Sequence, residues 1–112
     1  HAAAVEVQQN GCAALQNMAA GSDARTQAVV DAGGAAAVVA AMGAPAAAVE
    51  VQQNGCAALQ NMAAGSDACK QAVVDAGGAA AVVAAMRAHA AAVEVQQNGC
   101  AALRSMAAGS DA

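Results

Sequence analysis

The fold is decided by a stretch of fourteen residues that occurs three times. Residues 46–59 read AAAVEVQQNGCAAL, and the same letters return at 2–15 and at 90–103, which gives a period of 44. Residues 1–44 and 45–88 differ only at His1/Pro45, Arg25/Cys69, Thr26/Lys70 and Gly43/Arg87. Residues 89–112 match 1–24, except that Arg104 and Ser105 replace Gln16 and Asn17. Periods of about 40–47 residues are typical of helical solenoids, in which each unit buries its apolar face against its neighbours. Repeats this similar indicate a consensus design or a very recent duplication, and we favour design.

Glycine, serine and proline divide each unit into three predicted helices. Gly65-Ser66-Asp67 supplies cap residues for a helix over about 67–76, which ends at Gly77-Gly78. A short helix over about 79–87 follows, and a long third helix runs over about 46–64 behind Pro45. In the first unit the same elements fall at about 22–32, 34–43 and 2–20. The sequence therefore predicts a third helix at 1–21, complete repeats at 22–65 and 66–109, and a tail at 110–112.

The composition excludes several functional classes. Alanine accounts for 40 of the 112 residues, no residue is aromatic, and the net charge is −4 with only four basic side chains. An electrostatic nucleic-acid site is excluded by this charge, and no ring is available to stack on bases. We find no nucleophile with a base beside it, no ligand set for a metal and no phosphate-binding motif, so we expect neither an enzyme nor a cofactor. No targeting segment precedes the first repeat and free thiols suit a reducing compartment, so we expect a cytoplasmic chain that does not cross a membrane.

Each long helix carries two stripes at helical spacing. The stripe predicted to be buried consists of Val51, Gly55, Ala58, Leu59, Met62 and Ala63. A second stripe on the polar side contains Glu50, Asn54, Ala57 and Asn61. Repetition turns this second stripe into three rows: Glu6/Glu50/Glu94, Asn10/Asn54/Asn98 and Asn17/Asn61/Ser105.

Three segments of the chain resemble armadillo repeats. These are SDARTQAVVDAGG at 22–34, AAAVVAAM at 35–42 and VQQNGCAALQNMA at 51–63. The resemblance implies an all-α, armadillo-like α-solenoid, a right-handed superhelix of three-helix repeats whose third helices line a concave groove. It also implies that this groove binds an extended peptide. An asparagine late in the third helix grips the peptide backbone in such proteins, and that position matches Asn17 and Asn61, with Ser105 as a departure.

The groove departs from the family pattern at a second position. The tryptophan that normally lies four residues earlier is replaced by Ala13, Ala57 and Ala101. Either the sequence was designed with only a few amino-acid types, or some alanines stand for larger residues that were never identified. With alanine at these positions, the three polar rows are interpreted as a solvated face that keeps the solenoid in solution. Binding of an extended peptide to these rows is the alternative.

Cysteine, histidine and glycine each allow a structural interpretation. Cys12, Cys56 and Cys100 are predicted to be small buried residues, whereas Cys69 is predicted to be exposed, either as a reactive handle or as an incidental substitution. His1 and His89 occupy equivalent turns and are interpreted as solvated. Gly11, Gly55 and Gly99 interrupt long helices, which indicates close approach of a neighbouring helix.

The ends of the solenoid suggest how copies of the chain interact. A solenoid normally needs polar capping repeats, and here apolar positions such as Val95, Leu103 and Met106 are predicted to lie uncovered. We therefore expect a non-catalytic scaffold that forms homo-oligomers through its ends. Third helices occupy both ends, so head-to-tail stacking would bring two third helices to a position that holds only one within the repeat. Swapped or face-to-face dimers are therefore favoured over filaments.

Overall fold

Six helices make up the part of the chain that the structure, a computed structural model, describes, namely residues 23–43 and 49–108. They are α1 (Asp23–Asp31), α2 (Gly34–Met42), α3 (Val49–Ala63), α4 (Asp67–Asp75), α5 (Gly78–Ala88) and α6 (Val93–Ala107). No strand occurs within these two ranges. The all-α prediction is confirmed, and each predicted boundary that falls on described residues agrees to within one or two positions. The predicted helix at 2–20 and the start of the one at 46–64 lie outside the described residues.

Paired glycines form the turn between the first and second helix of each unit. Gly33 and Gly77 have φ values of 89° and 90°, in the left-handed region where a Cβ atom is unfavourable. The next glycine packs directly on the preceding helix, because a Cβ on Gly78 would lie 2.8 Å from the carbonyl oxygen of Val73. Both positions therefore require glycine, which confirms the predicted helix stops.

The start of α4 is capped as the sequence predicts. Ser66 has an extended backbone, and its Oγ accepts a hydrogen bond from the amide of Cys69 at 3.2 Å. This bond satisfies one of the amides that a helix leaves unpaired in its first turn.

Each third helix crosses the second helix of its own unit at a glycine. A Cβ on Gly55 would lie 2.5 Å from Cγ of Met42, and one on Gly99 would lie 2.7 Å from Cγ of Met86. The close approach predicted for these glycines is confirmed, whereas Gly11 lies outside the described residues. The predicted apolar stripe is also confirmed, because all six of its members in α3 are buried.

A glutamine reinforces each of these crossings. Gln52 is only 6 % exposed, and its Nε2 donates to the carbonyl oxygen of Met42 at 2.8 Å. Gln96 repeats the bond to Met86 at 2.8 Å and adds a second one to His89 at 3.1 Å. Each glutamine thus satisfies a carbonyl at the end of a second helix, which would otherwise lack a partner.

The two units stack so that equivalent helices lie side by side. α1 contacts α4, α2 contacts α5, and α3 contacts α6 along its length. The stacking buries Cys69, which is 1 % exposed and donates from Sγ to Oε1 of Gln27 at 3.3 Å. The prediction that Cys69 is exposed is therefore wrong, because α1 of the preceding unit covers this side of α4.

Candidate binding surfaces on the third helices

The third helices α3 and α6 run parallel and share hydrogen bonds on their polar side. Gln53 Nε2 donates to Oε2 of Glu94 at 3.1 Å, and Asn98 Nδ2 donates to the carbonyl oxygen of Gln53 at 3.2 Å. Near the other end, Ala63 and Ser105 accept from the same lysine, Lys70, so both helices point the same way. Equivalent positions of the two helices therefore lie next to each other.

The predicted rows keep their polar side chains at or near the surface. Glu50 and Glu94 are exposed, whereas Asn54, Asn61, Asn98 and Ser105 are half-buried. Glu6, Asn10 and Asn17 lie outside the described residues. The structure places Glu94 and Asn98 against Gln53 of the neighbouring helix, so part of their hydrogen-bonding capacity is already used.

Alanine forms the surface between the rows where the armadillo pattern has tryptophan. Ala57 is 7 % exposed and Ala101 is half-buried. A methyl group cannot form the wall of a side-chain pocket that an indole ring provides. What remains for a peptide is hydrogen bonding to amides and attraction to Glu50 and Glu94, with little apolar contact.

Lys70 joins the ends of the third helices, a role that the sequence analysis missed. Its Nζ donates to the carbonyl oxygens of Ala63 and Ser105, each at 2.9 Å. Cations are favourable at helix C-termini, where the carbonyl groups give a partial negative charge. The available signal was that Lys70 is one of the few departures from the repeat, since Thr26 occupies the equivalent position.

One side of α6 is exposed although the equivalent side of α3 is covered. Ala63, Cys56 and Leu59 of α3 are all 0 % exposed. Their counterparts in α6 are open, because Ala107 and Cys100 are exposed and Leu103 is only half-buried. At the start of the helix Val93 is 65 % exposed, whereas its counterpart in α3 is half-buried. We call this surface, Val93, Cys100, Leu103 and Ala107, the outer face of α6.

Three predictions about this region need correction. Val95 and Met106 were predicted to be uncovered, but they are 0 % and 7 % exposed because they belong to the core that α6 shares with the rest of the chain. Cys100 was predicted to be buried and is exposed, because none of the described helices covers this side of α6. Cys56 is buried as predicted, and burial raises the pKa of its thiol from 9.0 to about 11. Cys12 lies outside the described residues.

A second apolar surface lies on α1 and α2. It is a groove of about 290 Å³ lined by Arg25, Ala28, Val29, Ala32, Gly33, Gly34 and Ala37. The first unit covers the equivalent region of the second unit. Gln27 of the first unit accepts a hydrogen bond from Cys69 of the second, and Val39 of the first lies close to Gly77 of the second. The groove is therefore a repeat-stacking surface.

The described ranges contain neither a candidate metal site nor a single membrane-spanning helix. No three of their histidine, cysteine, aspartate and glutamate side chains are placed to hold a metal ion together. No single helix among them is long and apolar enough to cross a membrane; α4 and α5 reach that length and composition only as a pair bent by 62°.

Solved structures with the same arrangement include engineered repeat proteins. Two crystal structures of engineered proteins from the Northeast Structural Genomics Consortium match with a TM-score of 0.79 and with 30 % and 33 % sequence identity, over 89 % and 90 % of this chain. A designed armadillo repeat protein matches with a TM-score of 0.74 and 32 % identity over 88 % of this chain. The fold of this chain is therefore an armadillo-like α-solenoid, similar to that of a designed armadillo repeat protein.

The resemblance inferred from the sequence is thereby confirmed, and these neighbours are consistent with a repeat scaffold. The chain spans only 40 %, 39 % and 40 % of the length of these three proteins. No family profile and no curated protein sequence matches it.

Proposed function

We propose that this armadillo-like chain is a non-catalytic scaffold that self-associates through the outer face of α6. The observation that carries the proposal is the contrast between two helices of nearly identical sequence. Cys56, Leu59 and Ala63 are fully buried in α3, whereas Cys100, Leu103 and Ala107 are open in α6. Inside the chain the equivalent surface of α3 is buried, which supports packing of the outer face of α6 against a further helix.

The expected association is weak. Burying the outer face of α6 removes the exposed parts of Val93 and Leu103 from water, together with small groups on Cys100 and Ala107. A single helix face falls below the ~1,200 Å² of a standard interface, and part of its gain offsets the loss of rotational and translational freedom. We therefore expect a dissociation constant of roughly 10–300 μM.

Sedimentation equilibrium of the reduced protein tests this proposal. Wild type should pass from monomer to dimer mass over about 1–300 μM, and Val93→Glu should stay monomeric because a carboxylate cannot be buried unpaired. Ala84→Glu is the matched control, since Ala84 and its counterpart Ala40 are exposed in both units and so lie outside the repeat interface. A wild type that remains monomeric, or an equal effect of both variants, would refute the proposal.

Peptide binding is the second candidate, and it rests on a separate observation. Glu50 and Glu94 are both exposed at equivalent positions of parallel helices, so they form an acidic row suited to a Lys/Arg-rich extended peptide. Isothermal titration with such a peptide should give a dissociation constant below ~10 μM if the row forms a binding site. The double variant with Glu50→Gln and Glu94→Gln should then bind at least ~10-fold more weakly, and no heat at ~100 μM peptide would eliminate this candidate.

A further inference from the structure

We propose that the partner of the outer face of α6 is the same face of a second copy, with the two α6 helices antiparallel and Cys100 on the two-fold axis. This inference rests on the proposed self-association and adds its geometry. Two observations support it: the small side chain of Cys100 lies at the centre of the exposed helix, and the charges of this helix are self-complementary.

The antiparallel arrangement places a small side chain, that of Cys100, at the centre of this face. Cys100 is the middle residue of α6, which runs from Val93 to Ala107. A two-fold axis through Cys100 brings each Val93 opposite Ala107 of the second copy, so a larger side chain meets a smaller one at both ends. Helices packed ~8–10 Å apart, with Cα atoms ~2.3 Å from each axis, bring facing Cα atoms to ~3.4–5.4 Å. The upper part of that range overlaps the ~4.4–6.8 Å that a disulfide spans.

Charges flank the centre in a self-complementary way. At ~100° per residue, Arg104 and Glu94 lie ~40° and ~120° around the helix from Cys100, on the same side. They lie ~6 Å and ~9 Å from it along the axis in opposite directions, since the rise is ~1.5 Å per residue. A two-fold rotation perpendicular to the helix axes leaves these charged side chains on the same side of the dimer in both copies. It also makes the two α6 helices run in opposite directions. Arg104 therefore lies within ~3 Å, measured along the axis, of Glu94 of the second copy, and the dimer contains two such pairs.

Arg104 is itself a departure from the repeat. The equivalent residue is glutamine at Gln16 and at Gln60, and Gln60 is half-buried at the internal interface. The positive charge thus occurs on the one described third helix whose outer face is open.

The geometry also permits a covalent link between the copies. One Cys100 thiolate attacks oxidised glutathione, forms a mixed disulfide and releases one glutathione thiolate. The second Cys100 thiolate then displaces the other glutathione and completes the bond between the copies. The oxidant is reduced to two thiols, and two protons leave the protein.

Cross-linking by oxidised glutathione tests the position of Cys100. At ~100 μM protein, wild type should give a covalent dimer at least ~10-fold faster than in ~8 M urea, where only random encounters occur. Cys69→Ser should behave as wild type, because Cys69 is buried, and Cys100→Ser should lose the ~10-fold acceleration over urea.

A charge exchange tests the orientation without oxidation. Arg104→Glu and Glu94→Arg should each weaken dimerisation of the reduced protein ~5–10-fold, and the double variant should return to within ~3-fold of wild type. Glu50→Arg combined with Arg104→Glu is the matched control and should not restore it, because Glu50 is the equivalent residue on α3.

The outcomes separate this inference from the proposed function. Reduced wild type that stays monomeric refutes both. A reduced dimer that Val93→Glu abolishes, but that forms no Cys100 disulfide and is not restored by the charge exchange, leaves self-association standing and refutes the antiparallel arrangement.

Discussion

Replacing Gln52 with leucine should destabilise the fold much more than the same change at Gln96. Both glutamines donate from Nε2 to a carbonyl in the last turn of a second helix, at 2.8 Å in each case. They differ in their surroundings, since Gln52 is 6 % exposed and Gln96 is half-buried. Leucine has a similar volume, so the substitution removes the donor and leaves no large cavity.

The loss of unfolding free energy depends on whether water can reach the carbonyl oxygen once the glutamine is replaced. In Gln52→Leu the oxygen of Met42 loses its donor in a buried site, which costs about 2 kcal/mol of the free energy of unfolding. In Gln96→Leu water can reach the oxygens of Met86 and His89, both half-buried residues, so the cost falls to about 0.5–1 kcal/mol. At ~4 °C per kcal/mol, the melting temperatures should fall by about 8 °C and about 2–4 °C.

Urea unfolding followed by far-ultraviolet circular dichroism is the assay. It should be run at ~1 μM, below the expected dissociation constant, so that self-association contributes little to stability. Equal losses in the two variants, or a loss below ~0.5 kcal/mol for Gln52→Leu, would refute the claim that buried glutamine bonds fix the helix crossings.

The glycine turn offers a matched pair of variants: Gly77→Ala should cost only ~1–2 kcal/mol for its left-handed backbone, whereas Gly78→Ala should cost ~2–4 kcal/mol because its Cβ meets the carbonyl of Val73. Thermal unfolding distinguishes them, and a milder effect at Gly78 would contradict the packing described for that turn. Alkylation of the dilute native protein, read by peptide mass analysis, should modify Cys100 at least ~10-fold faster than Cys56, and equal rates would contradict their different burial. Burial holds the pKa of Cys56 at about 11 in the folded chain against 9.0 without it, so its contribution to stability is complete below pH 9 and is lost as the pH rises towards 11. Urea midpoints between pH 8 and about 11 should therefore fall more for wild type than for Cys56→Ala, and parallel curves would show that Cys56 does not titrate in this way.

Local features of the fold were predictable because local chemistry determines them. Gly33 and Gly77 ended helices where the backbone needs a positive φ, and Ser66 capped α4 as its position implied. The stripe that includes Val51 and Met62 was buried because helical spacing places its members on one side. These features depend on residues a few positions apart.

Features that depend on stacking were harder to predict. Cys56 and Cys100 are identical in local sequence, yet one is buried and the other exposed, because a following unit covers only the first. Cys69 is buried by α1, although nothing near it in the sequence indicates this. The bond from Lys70 to the ends of two helices likewise joins residues 35 positions apart.

The rate of Cys100 alkylation as a function of protein concentration tests the central claim most directly. If the outer face of α6 is where copies of this chain meet, the reduced protein should react at least ~2-fold more slowly at ~300 μM than at ~5 μM, and Val93→Glu should react equally fast at both. A wild-type rate that does not change with concentration would contradict the account.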